Sequence, residues 1–375
     1  MKFELLQTDI VSKARAGIIE TDHGTFNTPV FMPVGTRGAV KTLLSEDLLR
    51  SNSEIILSNT YHLFTRPGLD VLLKIGGLHK FMNWNRSILT DSGGFQIFSL
   101  KELCKVNEDG VKFQSHIDGA KINLTPEKVI DIQRAIGSDI MMVLDEFRSP
   151  DLPINEHREA AERSLRWAIR AKEYHNKIDY PYGFTQALFS IIQGGTNKQL
   201  REFSAIETVK VGFDGFAIGG LAVGEPTNVM YDVIDFTIPF LPENRPRYLM
   251  GVGTPENLLE AISRGVDMFD CVMPTRNARN ATLFTSKGRL NVRNLKFKYD
   301  ESPIDSNCDC LTCKGYSLSY IRHLFNVDEI TACTLSTIHN IHFYLQLMRS
   351  SREKILTGNF LEWKNEIVQN LVKKI

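Results

Sequence analysis

Short apolar runs that stop abruptly at a polar residue or a glycine recur along the chain. Clear examples are EIILSN ending at Asn59, SILTD ending at Asp91 and LFSIIQ ending at Gln193. Runs of about four to eight apolar residues with such ends predict strands buried on both faces, as in a parallel sheet. Further runs of this kind end at Asp145, Gly220, Gly251 and Asp270, and VFMPVGTRG, from Val30 to Gly38, supplies an eighth.

Helical patterns separate these predicted strands. Thr125 and Thr254 are each followed by proline and an amphipathic run, which predicts an N-cap residue and a proline at the first helical position. A longer helical pattern follows Asn155. About eight strand and helix units over roughly 270 residues predict an α/β protein with a (β/α)₈ TIM barrel in residues 1–300. The first 30 residues are expected to form an antiparallel hairpin across the barrel floor.

A doubly wound open sheet is the main alternative to the barrel. Its ligand would bind at one or two switch points, usually beside a glycine-rich phosphate loop, and neither GxGxxG nor a Walker sequence follows the first predicted strand. In a barrel the active site instead collects residues from the C-terminal ends of many strands. The polar residues at so many predicted strand ends therefore favour the barrel.

Composition narrows the possible partners. Of the 375 residues 42% are hydrophobic, which is ample for a core, and 44 basic side chains balance 44 acidic ones. Affinity for a polyanion must therefore come from local patches. The N-terminal sequence MKFELLQTDIVSKARAG has no apolar run of signal-peptide length, and no segment reaches the roughly 18 apolar residues of a membrane span. We expect a soluble, cytoplasmic protein without a membrane partner.

Three of the six cysteines, Cys308, Cys310 and Cys313, lie within the segment CDCLTC. In a reducing compartment such a cluster favours a metal over disulfides, with incidental or redox-active thiols as the alternative. Three thiolates leave a tetrahedral zinc ion one ligand short, and a fully ligated ion would be structural. We expect one zinc ion per subunit, in a subdomain that spans residues 301–375 with the closing helices. Spacing alone leaves four candidates for the fourth ligand: His323, Cys333, His339 and His342.

Carboxylates follow several of the predicted strands. Asp91 precedes Ser-Gly-Gly, VLDE supplies Asp145 and Glu146, and DMFDC supplies Asp267 and Asp270. An isolated aspartate at such a place equally often caps a turn, but three barrel strands with terminal carboxylates converge on one mouth. Two close carboxylates suit chemistry at an anomeric carbon, where one attacks and the other transfers a proton. Both glycoside hydrolysis and nucleobase exchange on a ribose fit that pattern.

A basic segment follows the last of these carboxylates. From Thr275 to Lys298 the chain has seven basic residues and no acidic one. Such a run is often only a solvated face. Because this one is interleaved with asparagine and follows a strand that ends at the predicted mouth, it favours contact with phosphates beside the scissile bond. An RNA substrate is the leading interpretation.

Four segments together resemble the bacterial tRNA-guanine transglycosylases, the queuine tRNA-ribosyltransferase family, and the resemblance runs from end to end. They are TDSGGFQ, FAIGGLAVGE, YLMGVGTPENLLEAISRGVDMFDCVMPTRNARN and the CDCLTC and IHN pair. The resemblance implies a homodimer that acts in queuosine biosynthesis on tRNAs with a GUN anticodon, those for Asp, Asn, His and Tyr. It also implies exchange of the wobble guanine at position 34 for a 7-deazaguanine through a covalent enzyme–tRNA intermediate.

The resemblance further implies roles for individual residues. Asp270 matches the nucleophile, Asp91 the general acid and base, and His339 the fourth zinc ligand. The positions that match the family's base pocket are Ser92, Gly93, Gly94, Phe95, Asp145, Gln193, Gly220, Leu221 and Met250. The positions that match its RNA-contacting segments are Gly251, Val252, Gly253, Thr254, Pro255, Glu256 and Asn257, followed by Thr275, Arg276, Asn277, Ala278 and Arg279.

One position departs from the family pattern. Phe147 stands where the bacterial sequences usually have cysteine, and a bulky ring there would reshape the space for the 7-substituent. Val223 keeps the bacterial form that narrows the pocket against the large queuine base. We predict the aminomethyl base preQ1 as the incoming base, with direct insertion of queuine as the alternative. A retaining glycosidase with an incidental zinc site and a non-catalytic RNA-binding subunit are further alternatives, and the presence of both Asp91 and Asp270 argues against the latter.

Overall fold

A computed structural model describes residues 1–94, 104–114, 119–150 and 152–375. Its centre is a parallel sheet of eight strands. In sheet order these are Val30–Met32, Met268–Asp270, Arg247–Leu249, Gly215–Ile218, Ala187–Ile192, Ile140–Met142, Ser87–Thr90 and Ile55–Ser58. Just after the first of these strands, Val34 forms a parallel bridge with Leu57 of the last one, and the Leu57 N–H donates to the Pro33 carbonyl over 3.0 Å. The sheet closes, and the predicted barrel is confirmed.

Helices pack around the barrel. Those that the structure describes between residues 45 and 279 are Ser45–Arg50, Thr60–Thr65, Leu69–Ile75, Leu78–Met82, Pro126–Ile136, Ile154–His175, Lys198–Val211, Thr227–Thr237, Pro255–Ser263 and Met273–Arg279, with a 3₁₀ turn at Ile238–Phe240. Thr125 and Thr254 are the N-caps predicted from the sequence, and each side chain accepts a backbone N–H of its helix. The long helix begins at Ile154, just before Asn155, because Pro153 already holds the extended backbone of an N-cap.

The N-terminal residues cover the barrel floor, as predicted, although they form three strands rather than a two-stranded hairpin. These antiparallel strands are Lys2–Thr8, Arg15–Thr21 and Gly24–Thr28. The Arg15 guanidinium binds the buried Asp267 carboxylate over 2.9 and 3.0 Å, directly before the last barrel strand. A second antiparallel sheet, which the sequence patterns did not reveal, contains Cys104–Asn107, Gly110–Gln114 and Lys121–Leu124.

The C-terminal part adds a hairpin, Thr282–Thr285 with Gly288–Asn291, and further helices. The helices are Leu311–Gly315, Leu318–Asn326, Ile330–Leu356 and Phe360–Leu371, with a 3₁₀ turn at Leu295–Phe297. Leu290, Ile304, Ile321 and Leu335 belong to a separate small apolar core. Because that core has members on both sides of residue 300, the division of the chain at that point stays a prediction.

The Ile330–Leu356 helix joins this small core to the barrel. Leu335 lies in the small core, whereas Ile341 and Tyr344 pack against barrel residues. The Tyr344 hydroxyl donates to the Gly253 carbonyl at the barrel mouth, and Arg352 donates to two carbonyls of the N-terminal sheet over 2.6 and 2.7 Å. Within the described ranges, no helix has the length and apolar character that crossing a bilayer requires.

Candidate active site at the barrel mouth

A cavity of about 300 Å³ opens where the barrel strands end. The residues that line it come from strand ends far apart in the sequence. They include Asp91, Ser92, Gly93, Asp145, Phe147, Gln193, Gly219, Gly220, Leu221, Val223, Tyr248, Met250, Gly251 and Asp270. The three strand-end carboxylates therefore share one cavity, as the sequence predicted.

Asp91 is held by the loop that follows the neighbouring barrel strand. Its Oδ1 accepts the Thr60 N–H over 2.9 Å and the Gly93 N–H over 3.1 Å, and its Oδ2 accepts the side-chain amide of Asn59. Burial raises the pKa of Asp91 to about 7, and repulsion from Asp270 acts in the same direction. This carboxyl group can therefore hold a proton close to neutral pH.

Asp270 ends the last barrel strand. Its Oδ1 accepts the Tyr248 hydroxyl over 2.5 Å and the Gly251 N–H over 3.0 Å. Burial raises the pKa of Asp270, and these two hydrogen bonds act against that rise because they favour the carboxylate. Both bonds go to Oδ1, and Oδ2 accepts none from the part of the chain that the structure describes. The second oxygen is the one available to a substrate.

A third carboxylate forms a hydrogen-bonded group on another wall of the cavity. Asp145 accepts the Gln193 amide on Oδ2 over 2.5 Å and the Ser92 hydroxyl on Oδ1 over 3.3 Å. The Gly94 N–H donates to the Ser92 oxygen over 3.2 Å, and burial raises the pKa of Asp145 to about 6. Phe95, which matches the family's base pocket, lies outside the described residues.

Glycine is required where the backbone passes Gln193. Gly220 has φ +65°, and a Cβ there would lie 2.8 Å from Oε1 of Gln193. A Cβ on Gly219 would lie 2.5 Å from Cγ2 of Ile191. Leu221 is buried beside them. The peptide group between the two glycines can therefore approach a planar ligand closely.

Phe147 lines this cavity and also a neighbouring one of about 320 Å³, which Cys104 and Arg148 help to enclose. Met250 and Val223 line the first cavity but not the second. The ring of Phe147 thus lies between two spaces, one of which contains the carboxylates.

The segment after the Arg247–Leu249 strand is one of the two predicted RNA-contacting segments. Gly251 is exposed at the mouth, whereas Val252, Gly253 and Pro255 are buried. Thr254 caps its helix, Glu256 is partly exposed, and Asn257 accepts the Tyr231 hydroxyl over 2.7 Å. The side chains of the buried members are therefore not exposed to a ligand.

The second predicted RNA segment forms the Met273–Arg279 helix beside the mouth. Arg276 is exposed, and Asn277 and Arg279 are partly exposed. Thr275 and Ala278 are buried, and Arg279 donates to the Thr275 carbonyl over 3.0 Å. The outward face of this helix is basic.

The cysteine cluster closes around one histidine. Nδ1 of His339 lies 3.7 Å from the sulfur of Cys308, 3.8 Å from that of Cys310 and 3.3 Å from that of Cys313. A tetrahedral zinc ion about 2.3 Å from sulfur and about 2.0 Å from nitrogen separates such atoms by about 3.5 Å. Nε2 of His339 faces the Phe284 carbonyl over 2.7 Å, which leaves Nδ1 free to bind a metal. The donor set fits a metal ion.

The other candidates for the fourth position lie apart from that cluster. His342 pairs with Asp309 over 2.8 Å.

A separate group, His23, His79 and Asp139, lies at the barrel floor. Nδ1 of His23 and Nε2 of His79 face the two Asp139 oxygens over 2.7 and 3.1 Å, and the two imidazole rings stack 3.7 Å apart. These contacts tie the N-terminal sheet to the barrel.

The sequence analysis assigns no role to two residues of the site. Tyr248 lies inside an apolar strand, and Arg201 lies in a helix with several charged residues. Both are fully buried at the mouth, where Tyr248 holds Asp270 and Arg201 binds the Gly219 carbonyl. A basic residue that alternates with apolar ones on the inner face of the Lys198–Val211 helix was the available signal.

Fold and site together define a TIM-barrel enzyme with buried carboxylates at its mouth. A family model described as queuine tRNA-ribosyltransferase matches residues 9–373. The chain therefore belongs to the queuine tRNA-ribosyltransferase family, a family of pentosyltransferases.

Three curated relatives show how far the similarity extends. The queuine tRNA-ribosyltransferase of Thermoanaerobacter pseudethanolicus is 54% identical over 366 residues, covering 98% of this chain and 96% of that protein. The protein of the same name from Lysinibacillus sphaericus is 51% identical over 371 residues, covering 98% and 96%. That from Helicobacter acinonychis is 51% identical over 370 residues, covering 98% of each chain.

Proposed function

We propose that the protein is a tRNA-guanine transglycosylase that exchanges the guanine at position 34 of tRNAs with a GUN anticodon for preQ1, in queuosine biosynthesis. The observation that carries the proposal is the shared cavity of Asp91 and Asp270, in which the Asp91 pKa is raised to about 7. A carboxyl group that can be protonated beside a second carboxylate is what a displacement at an anomeric carbon requires.

In the first half-reaction Asp270 is the nucleophile and Asp91 the acid. Oδ2 of Asp270 attacks C1′ of the ribose, and the bond from C1′ to the purine N9 breaks with its electron pair going to the base. The proton held by Asp91 passes to the base, which leaves as neutral guanine. The tRNA is then held as a ribosyl ester of Asp270.

The second half-reaction reverses these roles for a different base. The N9–H of the incoming deazaguanine gives its proton to the Asp91 carboxylate while N9 attacks C1′. The ester bond breaks and its electron pair returns to Asp270, which restores the starting protonation states. Because the ester keeps the energy of the glycosidic bond, no nucleoside triphosphate is consumed.

Base recognition explains the remaining polar groups of the cavity. A guanine that undergoes exchange must leave the base stack and bind in a pocket through its hydrogen-bonding edge. Asp145 accepts the N1–H and the exocyclic amino group, while the Gln193 amide and the Gly220 N–H donate to the carbonyl oxygen. Met250 covers one face of the ring and Ser92 supports Asp145, while Phe95 is assigned to the base pocket by its match to the family pattern alone.

Phosphate contacts come from the segments that border the mouth. Arg276 and Arg279 lie on the helix that follows the nucleophile, and their charges suit the backbone next to the flipped nucleotide. Gly251 to Asn257 form the adjacent border, where the exposed backbone of Gly251 is close enough to Asp270 to donate to it.

The cysteine and histidine group holds one structural zinc ion in this proposal. Cys308, Cys310, Cys313 and His339 would supply all four tetrahedral positions, so the ion takes no part in the chemistry and stabilises the C-terminal subdomain. The protein acts as a homodimer in the cytoplasm, where its tRNA substrates are.

The incoming base is preQ1, because Val223 borders the cavity and limits the space for a bulky 7-substituent. Direct insertion of queuine is the alternative that Phe147 favours, since its ring adjoins a second cavity into which such a substituent could extend.

The decisive experiment follows labelled guanine into unmodified tRNA with a GUN anticodon, and then its displacement by unlabelled preQ1 or queuine. Incorporation of guanine and displacement by preQ1 support the whole proposal. If queuine displaces guanine and preQ1 does not, the incoming base is queuine. Release of free sugar with no exchange would favour a glycosidase instead.

A further inference from the structure

Arg201 is a buried cation behind the peptide group that adjoins the base pocket. It lies in the Lys198–Val211 helix with 0% of its surface exposed. Its Nε donates to the Gly195 carbonyl over 2.7 Å, Nη1 to the Ile192 carbonyl over 2.8 Å and Nη2 to the Gly219 carbonyl over 2.7 Å. One guanidinium thus binds the ends of two adjacent barrel strands.

This charge has no carboxylate directly against it. In the described ranges Arg201 forms no salt bridge, and the acidic group that acts on it from a distance is Glu225, whose oxygens accept the N–H groups of Ala222 and Val223. Burial lowers the pKa of Arg201 to about 9, so the group is still mostly charged at neutral pH. A buried unpaired cation is costly, which suggests a gain in function rather than in stability.

The geometry connects this charge to the substrate through one peptide bond. The Gly219 carbonyl and the Gly220 N–H belong to the same planar amide. A cation bound to the carbonyl oxygen draws electron density from the amide and makes its N–H a stronger donor, as in any cooperative hydrogen-bond chain. The Gly220 N–H is the donor that the proposed function assigns to the carbonyl oxygen of the base.

We infer that Arg201 is a positioning residue that polarises the peptide between Gly219 and Gly220, so that the Gly220 N–H binds the 6-carbonyl oxygen of the purine most strongly when the base carries negative charge. As the glycosidic bond breaks, the electron pair delocalises onto that oxygen before the proton from Asp91 arrives. Arg201 therefore favours purines with a 6-oxo group and stabilises their departure. This inference rests on the proposed function.

The experiment compares 7-deazaguanine, which carries the 6-carbonyl and a hydrogen on N1, with 2-amino-7-deazapurine, which lacks both. Only the first can accept the Gly220 N–H at position 6. The missing N1–H is the same in every variant, so a change in the ratio of the two constants between variants reports the contact at position 6. Each base is tested as a competitive inhibitor of labelled guanine exchange in the wild type, Arg201→Lys and Arg201→Gln. Inhibition constants report binding whether or not the analogue is incorporated.

We expect Arg201→Gln to weaken inhibition by 7-deazaguanine about tenfold and to leave inhibition by 2-amino-7-deazapurine within about twofold. Arg201→Lys keeps a charge but cannot form all three hydrogen bonds of the guanidinium. Its inhibition constant for 7-deazaguanine should lie between those of the wild type and Arg201→Gln. The matched control is Arg134→Lys, since Arg134 is also buried but binds the His175 carbonyl far from the mouth. That variant should leave the ratio of the two constants unchanged.

Equal weakening of both bases in the Arg201 variants would show a merely structural role and overturn the inference. If the wild type fails to exchange guanine at all, the proposed function itself fails, which is a separate result. Should neither variant fold, ¹⁵N-glycine labelling of the wild type can still overturn the inference. The Gly220 amide proton should move downfield with 7-deazaguanine and not with 2-amino-7-deazapurine, and an unchanged signal would exclude the polarised donor.

Discussion

The hydroxyl of Tyr248 donates a hydrogen bond of 2.5 Å to Oδ1 of Asp270. The two side chains come from adjacent barrel strands, and Met268 pairs with Tyr248 itself. Tyr248 is fully buried, so its ring is fixed by the barrel core and its hydroxyl has one orientation toward the carboxylate. The barrel thus turns one oxygen of Asp270 toward a fixed donor and leaves the other for the substrate.

Loss of that hydroxyl should slow the reaction and change its pH dependence. In Tyr248→Phe the Asp270 carboxylate loses a hydrogen bond that favours ionisation, so its pKa rises and its ionised fraction at a given pH falls. We expect single-turnover formation of the covalent complex to slow by about tenfold at pH 7, with the acidic limb of the rate profile moved to higher pH. An unmoved acidic limb would show that Tyr248 does not tune the nucleophile.

Removal of the nucleophile should separate binding from chemistry. Asp270→Ala should abolish the tRNA adduct that survives a denaturing gel, while salt-sensitive binding of tRNA by filter retention is largely kept, because the phosphate contacts come from other residues. Asp131→Asn is a control, since Asp131 accepts the Tyr174 hydroxyl outside the mouth. Base exchange that persists in Asp270→Ala would assign the nucleophile elsewhere.

The raised pKa of Asp91, about 7, predicts how adduct formation responds to pH. The first half-reaction needs the protonated acid, whose fraction is lost as the pH rises through 7. At pH values well above 7, the single-turnover rate should therefore fall by about tenfold for each pH unit. Asp91→Asn should be slow and should lack this alkaline limb. A wild-type rate that stays constant from pH 7 to 9 would rule out Asp91 as the acid.

The metal site should be needed for folding of the C-terminal part rather than for chemistry. Cys310→Ser removes one of four ligands, so zinc per subunit, measured by atomic emission, should fall from one to about zero, and the melting temperature should fall by several degrees. Cys333→Ser is the matched control, because Cys333 lies on the same helix as His339 but outside the cluster. Full zinc retention in Cys310→Ser would refute the ligand set.

Phe147 should decide how large a 7-substituent the protein accepts. Replacement by the smaller cysteine should raise kcat/KM for preQ1, because the aminomethyl group then faces a cavity of the usual family shape. The ratio of preQ1 use to queuine use should rise by about tenfold. Val223→Gly enlarges the cavity where Val223 borders it and should favour queuine. If Phe147→Cys leaves the ratio unchanged, the ring does not contact the 7-substituent.

The barrel and its carboxylates could be predicted because both depend on local pattern. Apolar runs with polar ends define buried parallel strands, and the C-terminal ends of such strands must meet, so Asp91, Asp145 and Asp270 had to come together. The N-caps Thr125 and Thr254 were equally visible, since capping depends on only a few adjacent residues.

Tyr248 and Arg201 could not be predicted because their roles depend on partners far away in the sequence. A tyrosine inside an apolar strand has the same local pattern whether its hydroxyl meets a carboxylate or a carbonyl. The spacing of Arg201 from Ala205 indicates the inner face of its helix, but the carbonyls that it binds there belong to strands elsewhere in the sequence. The third strand of the floor and the sheet containing Gly110–Gln114 were missed for a related reason, since short polar strands carry little periodicity.

The Ile330–Leu356 helix carries a metal ligand, a tyrosine that binds the mouth backbone and an arginine that binds the floor sheet. A ribosome must therefore translate the chain as far as Arg352 before this helix can connect the mouth and the floor of the barrel. Until then, the earlier strands emerge from the exit tunnel without the contacts of this helix, and they depend on chaperones or on partial structure to avoid aggregation. A premature stop codon before His339 would thus remove the catalyst as completely as loss of its nucleophile.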